Sequence, residues 1–387
     1  MLVSRPPKDR FLRPRRLLSV PPGDIVDRSC LPYSALRDRG CGWVLGGDWD
    51  KLGYPFADDS RYRAVRDVVT RGSRWQDTDM YMEAVKSLDQ GQPVWHCRTR
   101  EELDRRCEVL DDLVETIHRD GFLTQRQLRG RRTPMAQLGR QEEVSVLIGR
   151  HGDILFRDGA HRLAIAKVVG TPLIPVEVGL RHADWGEFRR QIECYADAHG
   201  GRVPQRLLHP DLDDIPALHS CDGRFRLVLE ALSDQCTVLD LTPGWGYFCQ
   251  RLELQGFTCT ALEPSSEDAR FLAKLRRASN RSFDVIPSGR IGALPEVQRT
   301  FDAALLLSDG LSAGSRVSAA ESLAALSLVN VRQVFVEPEA FVEHEAASGD
   351  GNLSSARFLE ALADATGHRT CARQGWSAEA GPLYRLA

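Results

Sequence analysis

The sequence has no C-x-x-C pair among its 10 cysteines, which stand singly at positions 30, 41, 97, 107, 194, 221, 236, 249, 259 and 371. That absence removes the common zinc-binding and dithiol-exchange spacings, so the thiols are expected to be reduced and mostly buried, with no protein metal site. No apolar run approaches the roughly 18 residues of a membrane span, and membrane insertion is not expected. There is no strong excess of one charge. Residues 1–200 carry 33 basic and 30 acidic side chains and residues 201–387 carry 18 and 24, for a net charge of −3. A general nucleic-acid binder shows a pronounced basic excess, so nucleic acid is not an expected partner. The start is basic and broken by prolines (Arg5, Lys8, Arg10, Arg13, Arg15, Arg16), but no apolar signal segment follows it, and a cytoplasmic location is expected.

What is present is length enough for two cores. The periodic pattern lapses after Tyr195 into Asp197-Ala198-His199-Gly200-Gly201, then His209-Pro210-Asp211 and Ile215-Pro216. Paired glycines and repeated prolines punctuate chains. We therefore expect a flexible basic arm over 1–39, a first domain over 40–195, a linker over 196–223 and a second domain over 224–387.

The second domain carries the clearest pattern, TVLDLTPGWGYFCQRLELQGFTCTALEPS from Thr237. Thr237 to Leu241 is a short apolar run of the kind parallel sheets bury on both faces. Thr242-Pro243-Gly244-Trp245-Gly246 forms a turn whose glycines let backbone approach a bound group. Tyr247 to Gln255 has helical spacing and stops at Gly256. Phe257 to Leu262 is a second strand with Glu263 at its end, 23 positions after Asp240. A turn and helix N-terminus to receive the polar end of a ligand, followed by a carboxylate to accept from ribose hydroxyls, suits a nucleoside-bearing cofactor. Phe283 to Pro287, Phe301 to Leu307 and Val334 to Val336 are further strands. Helices are expected over Ala319 to Leu328 and Ser354 to Thr366, and a closing strand over Gly381 to Leu386.

In sequence, VLDLTPGWGYF resembles motif I of class I methyltransferases, whose pattern ends the first strand on an acidic residue just before the glycine loop. The resemblance covers about 165 residues. It implies a Rossmann-like seven-stranded domain that binds S-adenosyl-L-methionine through Asp240, Thr242, Gly244, Gly246 and Glu263. Thr242 stands where that pattern has its first glycine. A β-branched residue suits positive φ poorly and fills space near the cofactor, so weakened affinity is expected from it. Leu306-Leu307-Ser308-Asp309-Gly310 stands where an Asn/Asp-Pro-Pro-Tyr motif would follow strand four, which argues against amino-methylation of a base or of glutamine.

In the first domain, residues 143–178 read as a hairpin, Val144 to Ile148 and Ile154 to Phe156, then Asp158-Gly159-Ala160-His161-Arg162 leading into a helix, then a strand from Ile174. A glycine followed by a helix N-terminus bearing His and Arg can seat phosphate. Equally, Asp158 can cap the helix while His161 and Arg162 pair on its surface. The string DGAHRLAIAK resembles the nucleotide-binding core of the ParB/sulfiredoxin superfamily, over about 35 residues, which implies an α+β domain. The superfamily includes CTP-binding partition proteins, an ATP-using sulfinic acid reductase and kinases of free serine. The resemblance implies ATP, or CTP or ADP, with Mg²⁺ at Gly159, Ala160, His161 and Arg162, and makes Asp158 and His161 the catalytic candidates. Ala160 stands where the reductase has its Cys, so reductase chemistry is not implied, and no helix-turn-helix follows the core. Residues 46–56 and 73–81, dense in Trp, Asp and Tyr, suit either a substrate pocket or loops anchored by buried rings. Arg181 to Trp185 would follow the last strand, with His182 at the surface.

Together the readings give an α/β chain of two ligand-handling domains, a transferase tailoring a small molecule or glycan by methyl or phosphoryl transfer. The alternatives are a non-catalytic, nucleotide-gated regulator that uses the methyltransferase fold as scaffold, and a nucleic-acid protein that uses the basic arm.

Overall fold

The computed structural model describes residues 17–31, 43–129, 143–287, 300–307, 318–339, 341–343, 353–377 and 381–387. The chain divides into two compact units, Met1–Arg189 and Arg190–Ala387.

Unit 1 is built on a mixed sheet of β1 (Leu18–Val20), β2 (Asp27–Ser29), β3 (Trp43–Leu45), β4 (Gly53–Pro55), β5 (Val144–Ile148), β6 (Ile154–Asp158) and β7 (Ile174–His182). The order is β1-β7-β5-β6-β2-β4, and β3 also pairs with β7. All five residues of β5 are buried, as expected of a central strand reading as one apolar run. It forms the expected antiparallel hairpin with β6. The nine-residue β7 pairs in parallel with β5, antiparallel with β1 through Leu18↔Val176, and in parallel with β3 through Trp43↔Leu180. Its helices are α1 (Ser60–Arg71), α2 (Asp79–Asp89), α3 (Arg100–Asp120), α4 (Gln125–Arg129), α5 (Ala160–Val168) and the first part of α6 (Ala183–Ala198).

Two expectations change here. Residues 17–31, inside the expected arm, are folded: Leu18, Val20 and Ile25 are buried, because β1 completes a β7 edge that would otherwise expose unpaired amides. Arg5 to Arg16 lie outside the described residues. Arg181 and His182 end β7 and are buried, with His182 Nε2 hydrogen-bonded to the Gly47 carbonyl at 2.8 Å, so His182 is a satisfied interior histidine. The strings at 46–56 and 73–81 are anchored by rings. Trp49 donates to the Leu45 carbonyl at 3.0 Å, Trp75 to Asp111 at 2.7 Å, and the Tyr81 hydroxyl to Asp104 at 2.7 Å. The second string also borders an open cavity of about 410 Å³ lined by Gln76, Tyr81, Met82, Lys86 and Arg100.

Unit 2 is Rossmann-like. After β8 (Val203–Gln205), β9 (Ala217–His219) and α7 (Asp222–Ala231) come β10 (Thr237–Asp240), α8 (Tyr247–Leu254), β11 (Thr258–Glu263), α9 (Ser266–Ala278) and β12 (Asp284–Pro287). The short β13 (Thr300–Phe301) and β15 (Asn330–Val331) pair with each other, around β14 (Ala303–Leu306) and α10 (Ala319–Leu326). Then follow β16 (Val334–Val336), α11 (Ser355–Thr366), β17 (Cys371–Ser377) and β18 (Gly381–Leu386). The seven-stranded sheet runs β12-β11-β10-β14-β16-β18-β17. Its first five strands are parallel, and β18 enters antiparallel beside β16. Alternate residues feed opposite faces. Val238, Ala261, Leu305 and Phe335 join one core cluster, whereas Leu239, Leu262, Ala304 and Leu306 join the other. Both faces are therefore covered, which is why these strands read as unbroken apolar runs. Strand order reverses between β10 and β14, and ligands of open α/β sheets gather beyond the carboxyl ends of strands at such a point.

Residues 196–223, expected as linker, instead belong to unit 2 and carry β8 and β9, which pair in parallel. Val203, Gln205, Leu207, His209, Asp211, Leu212 and Ile215 there are buried. The polar strand β17 had no counterpart in the sequence reading. Among the described residues, no helix is long and apolar enough to cross a membrane, and no group of three or more His, Cys, Asp or Glu side chains is arranged to hold a metal ion.

Candidate functional site

At the switch point of unit 2, β10 delivers Asp240 and β11 delivers Glu263, with Asp240 paired to Ala261 two residues before Glu263. The two carboxylates thus reach the same end of adjacent parallel strands, with the turn 242–246 beside them. Gly244 and Gly246 have φ of 53° and 89°, a region glycine enters freely. A Cβ on Gly246 would overlap Cδ1 of Leu272, so this glycine serves the close approach of α8 and α9. Thr242 has no positive φ. Its Oγ1 accepts the amide of Leu307, at the end of β14, at 2.8 Å, and ties the turn to the next strand.

Asp240 accepts the Thr242 amide at 3.1 Å and faces the Cys249 thiol at 3.4 Å. Burial pushes its pKa up to about 7 against those hydrogen bonds. Glu263 accepts the Ser265 amide at 2.8 Å and the Gly244 amide. Burial first, then the neighbouring charges of Asp268 and Asp240, push its pKa up to about 8. Burial and mutual repulsion disfavour two negative charges here, and a cationic or hydroxyl-donating group brought beside these acids would stabilise their ionised forms. Trp245 is packed into the turn, stacked on Phe271 with centroids 4.4 Å apart and donating to Asp268 at 2.8 Å. The turn's amides at Trp245 and Tyr247 are both received by Oε1 of Gln205, at 3.0 and 3.3 Å. Gln205 was missed in the sequence because it lies in the segment taken for linker.

In unit 1, β6 ends at Asp158, whose Oδ1 accepts the Gly159 amide at 2.8 Å. Gly159, at φ 87°, turns the chain into α5, and a Cβ there would come within 3.1 Å of the Val144 backbone. Ala160 is buried in the first turn. Arg162 is not at the surface. Its guanidinium is ion-paired to Glu143 at 3.0 Å, donates to the Leu123 carbonyl and covers the Phe122 ring at 4.4 Å, so it ties α5 to the entry of β5. His161 meets Trp95 edge-on at 5.4 Å, and its Nε2 is buried with no partner among the described residues. Burial, then the charges of Arg106 and Arg61, push its pKa down to about 3, so it is neutral at ordinary pH.

The cations beside α5 carried no sequence signal. Asp59 receives Arg28 at 2.9 Å and Arg61 at 2.7 Å, and Arg106 keeps a buried Nε with no partner among the described residues. Three guanidinium groups, Arg28, Arg61 and Arg106, against the two carboxylates Asp59 and Asp158 leave an excess of positive charge around this end of α5. Trp95 and His96, at φ 50° and 68°, form the tight turn closed by Val94 and Cys97, a conformation costly for non-glycine residues.

No protein-family model matches the chain, and no curated protein matches it. Among solved structures, the chain is similar to monomeric WbdD, with 20% identity over 47% of this chain and 45% of that one and a TM-score of 0.34. Another WbdD structure, described as a bifunctional kinase-methyltransferase, gives 19%, 50%, 45% and 0.35. The methyltransferase domain of bacterial CtHen1 gives 15% identity over 43% of this chain and 98% of that one, with a TM-score of 0.30. The chain spans less than half the length of these WbdD chains. The Rossmann-like assignment of unit 2 rests on its own strand order.

Proposed function

We propose that unit 2 binds S-adenosyl-L-methionine and transfers its methyl group, and that unit 1 binds a nucleoside polyphosphate, in a transferase acting on a small molecule or glycan. One juxtaposition supports the first part above all: Asp240, the turn 242–246 and Glu263 converge at the carboxyl ends of β10 and β11, where the strand order reverses. The donor set fits the cofactor. Glu263 would accept ribose hydroxyls and, with Asp240 once both are ionised, would favour a cationic ligand. When bound, that cofactor would supply an electrophilic methyl group.

In unit 1 the positive end of α5, with Gly159, Ala160 and His161, would receive phosphate, aided by Arg106. Arg162 supports this seat by holding Glu143 and the Leu123 carbonyl. Phosphoryl transfer would bond the acceptor oxygen to the terminal phosphorus as the bridging P–O bond breaks, with Mg²⁺ on the nucleotide and Asp158 taking the hydroxyl proton. The test is a thermal-shift and calorimetry panel of S-adenosylmethionine, S-adenosylhomocysteine, ATP, ADP and CTP, then mass spectrometry for methylated or phosphorylated hydroxyl metabolites. A ligand at ~100 times its dissociation constant should stabilise by roughly 2.7 kcal/mol. Failure of every S-adenosyl ligand at millimolar concentration would overturn the first part. Nucleotide binding without product would reduce unit 1 to a regulatory module.

A further inference from the structure

We propose that Gln205 recognises the aminoacyl carboxylate of an S-adenosyl ligand, its carboxamide oxygen holding the glycine turn while its nitrogen donates to the ligand. The inference rests on the cofactor reading above and adds to it a residue from outside the motif.

Gln205 ends β8 and is 1% exposed. Its Oε1 accepts the amides of Trp245 and Tyr247 at 3.0 and 3.3 Å. Because both partners are N–H donors, only the oxygen can face them, and the orientation of the carboxamide is fixed. Nε2 is then a buried donor, and it has no acceptor among the described residues. Buried donors in folded proteins are nearly always paired, so this one calls for an acceptor beyond those the described residues provide.

The surroundings say what kind. The group stands at the N-terminus of the eight-residue α8, where the backbone dipole favours an anion. Its oxygen is polarised by two amides, which strengthens its own N–H as a donor. Asp268, the nearby acid, is already paired with the Trp245 indole. The carboxylates Glu263 and Asp240 suit the hydroxyl-bearing and cationic parts of a ligand, whereas Gln205 offers the neutral donor that a carboxylate needs. The ligand's polarity is therefore matched along the turn, and a nucleoside lacking the amino-acid group would leave Nε2 unmet.

The experiment is calorimetry on the full chain with S-adenosylhomocysteine and with 5′-methylthioadenosine, which lacks the aminoacyl group. Wild type should prefer S-adenosylhomocysteine by about tenfold or more. Gln205→Glu keeps an acceptor for the turn but replaces the donor with a charge that repels carboxylate. It should lose about 30-fold on S-adenosylhomocysteine and stay within about threefold on methylthioadenosine. Gln205→Met also removes the acceptor of the Trp245 and Tyr247 amides, so it should weaken both ligands, with about tenfold more loss on S-adenosylhomocysteine than on methylthioadenosine, and either variant's retained binding of methylthioadenosine shows that it is folded. Equal affinity of wild type for the two ligands would overturn the proposal. So would an equal loss on both in Gln205→Glu, which would make Gln205 a support of the turn, or tighter S-adenosylhomocysteine binding by Gln205→Met, which would make it a plug. If Gln205→Glu does not fold, the wild-type ratio and Gln205→Met decide. Wild type binding neither ligand would remove the cofactor reading itself, a result distinct from those.

Discussion

The two units each turn a strand into a helix through a left-handed glycine, Gly159 before α5 at φ 87° and Gly246 before α8 at φ 89°. The backbone device is the same, and its electrical setting is opposite. Around α8 stand Asp240, Glu263 and Asp268, with Gln205 already occupying two amides. Around α5 stand Arg28, Arg61 and Arg106 with Asp59 and Asp158, and His161 is held neutral. A strand-glycine-helix junction is thus a generic cradle, and the side chains brought in by other elements decide whether it suits a cationic, hydroxyl-bearing ligand or a polyanion.

The comparison breaks most readily at the glycines. Gly246→Ala combines positive φ with overlap against Leu272 and should cost about 3 kcal/mol or more in denaturant unfolding. Gly159→Ala, with 3.1 Å to the Val144 backbone, should cost about 1–3 kcal/mol. Equal, negligible costs would show that neither junction is constrained.

Next in size is ligand selectivity. Glu263→Ala should weaken S-adenosylmethionine by about 10- to 100-fold and leave nucleotide binding unchanged, while Arg106→Ala should weaken nucleotide by about tenfold and leave S-adenosylmethionine unchanged. Thermal shifts with each ligand check both, and a crossed effect would erase the distinction between the junctions.

The third contrast is pH. Asp240 and Glu263 have folded-state pKa values, about 7 and about 8, above their ordinary ones of 3.8 and 4.5. Their contribution to stability is therefore fully present below about pH 4 and is lost as pH rises through 7 and 8. Binding that needs the ionised acids runs the other way, so S-adenosylmethionine affinity should rise between about pH 6.5 and 8.5. The α5 site should show no histidine-linked change over that range, since His161 is depressed to about 3. Calorimetry across pH checks the sign.

The smallest effect sharpens one detail. The sequence alone suggests that Thr242→Gly should tighten cofactor binding. With Oγ1 bonded to Leu307 at 2.8 Å and no positive φ to relieve, the substitution should instead cost about 1–2 kcal/mol with no gain in affinity. Thr242→Ser, which keeps the hydroxyl, should lose less.

The sequence by itself determined the elements whose chemistry is local. Runs such as Val238-Leu239 and Ala303 to Leu306 are apolar because both sheet faces are covered, and the 149–153 hairpin turn, the two glycine junctions and the acid closing β11 follow from backbone preference and strand ends. Tertiary structure decided everything that depends on a distant partner. Three-residue strands such as Leu18–Val20 and Val203–Gln205 are too short to show a period, and they exist because a neighbour's edge needs pairing. The polar β17 takes its place only beside β18. Arg162 reads as a surface clamp until Glu143 and Phe122 are brought to it, and Gln205 reads as linker until its carboxamide meets the turn 40 residues away. Periodicity reports which face of an element is buried. It carries no record of which side chain from elsewhere will share that burial, and there the charge and the hydrogen-bonding vacancies of both sites were set.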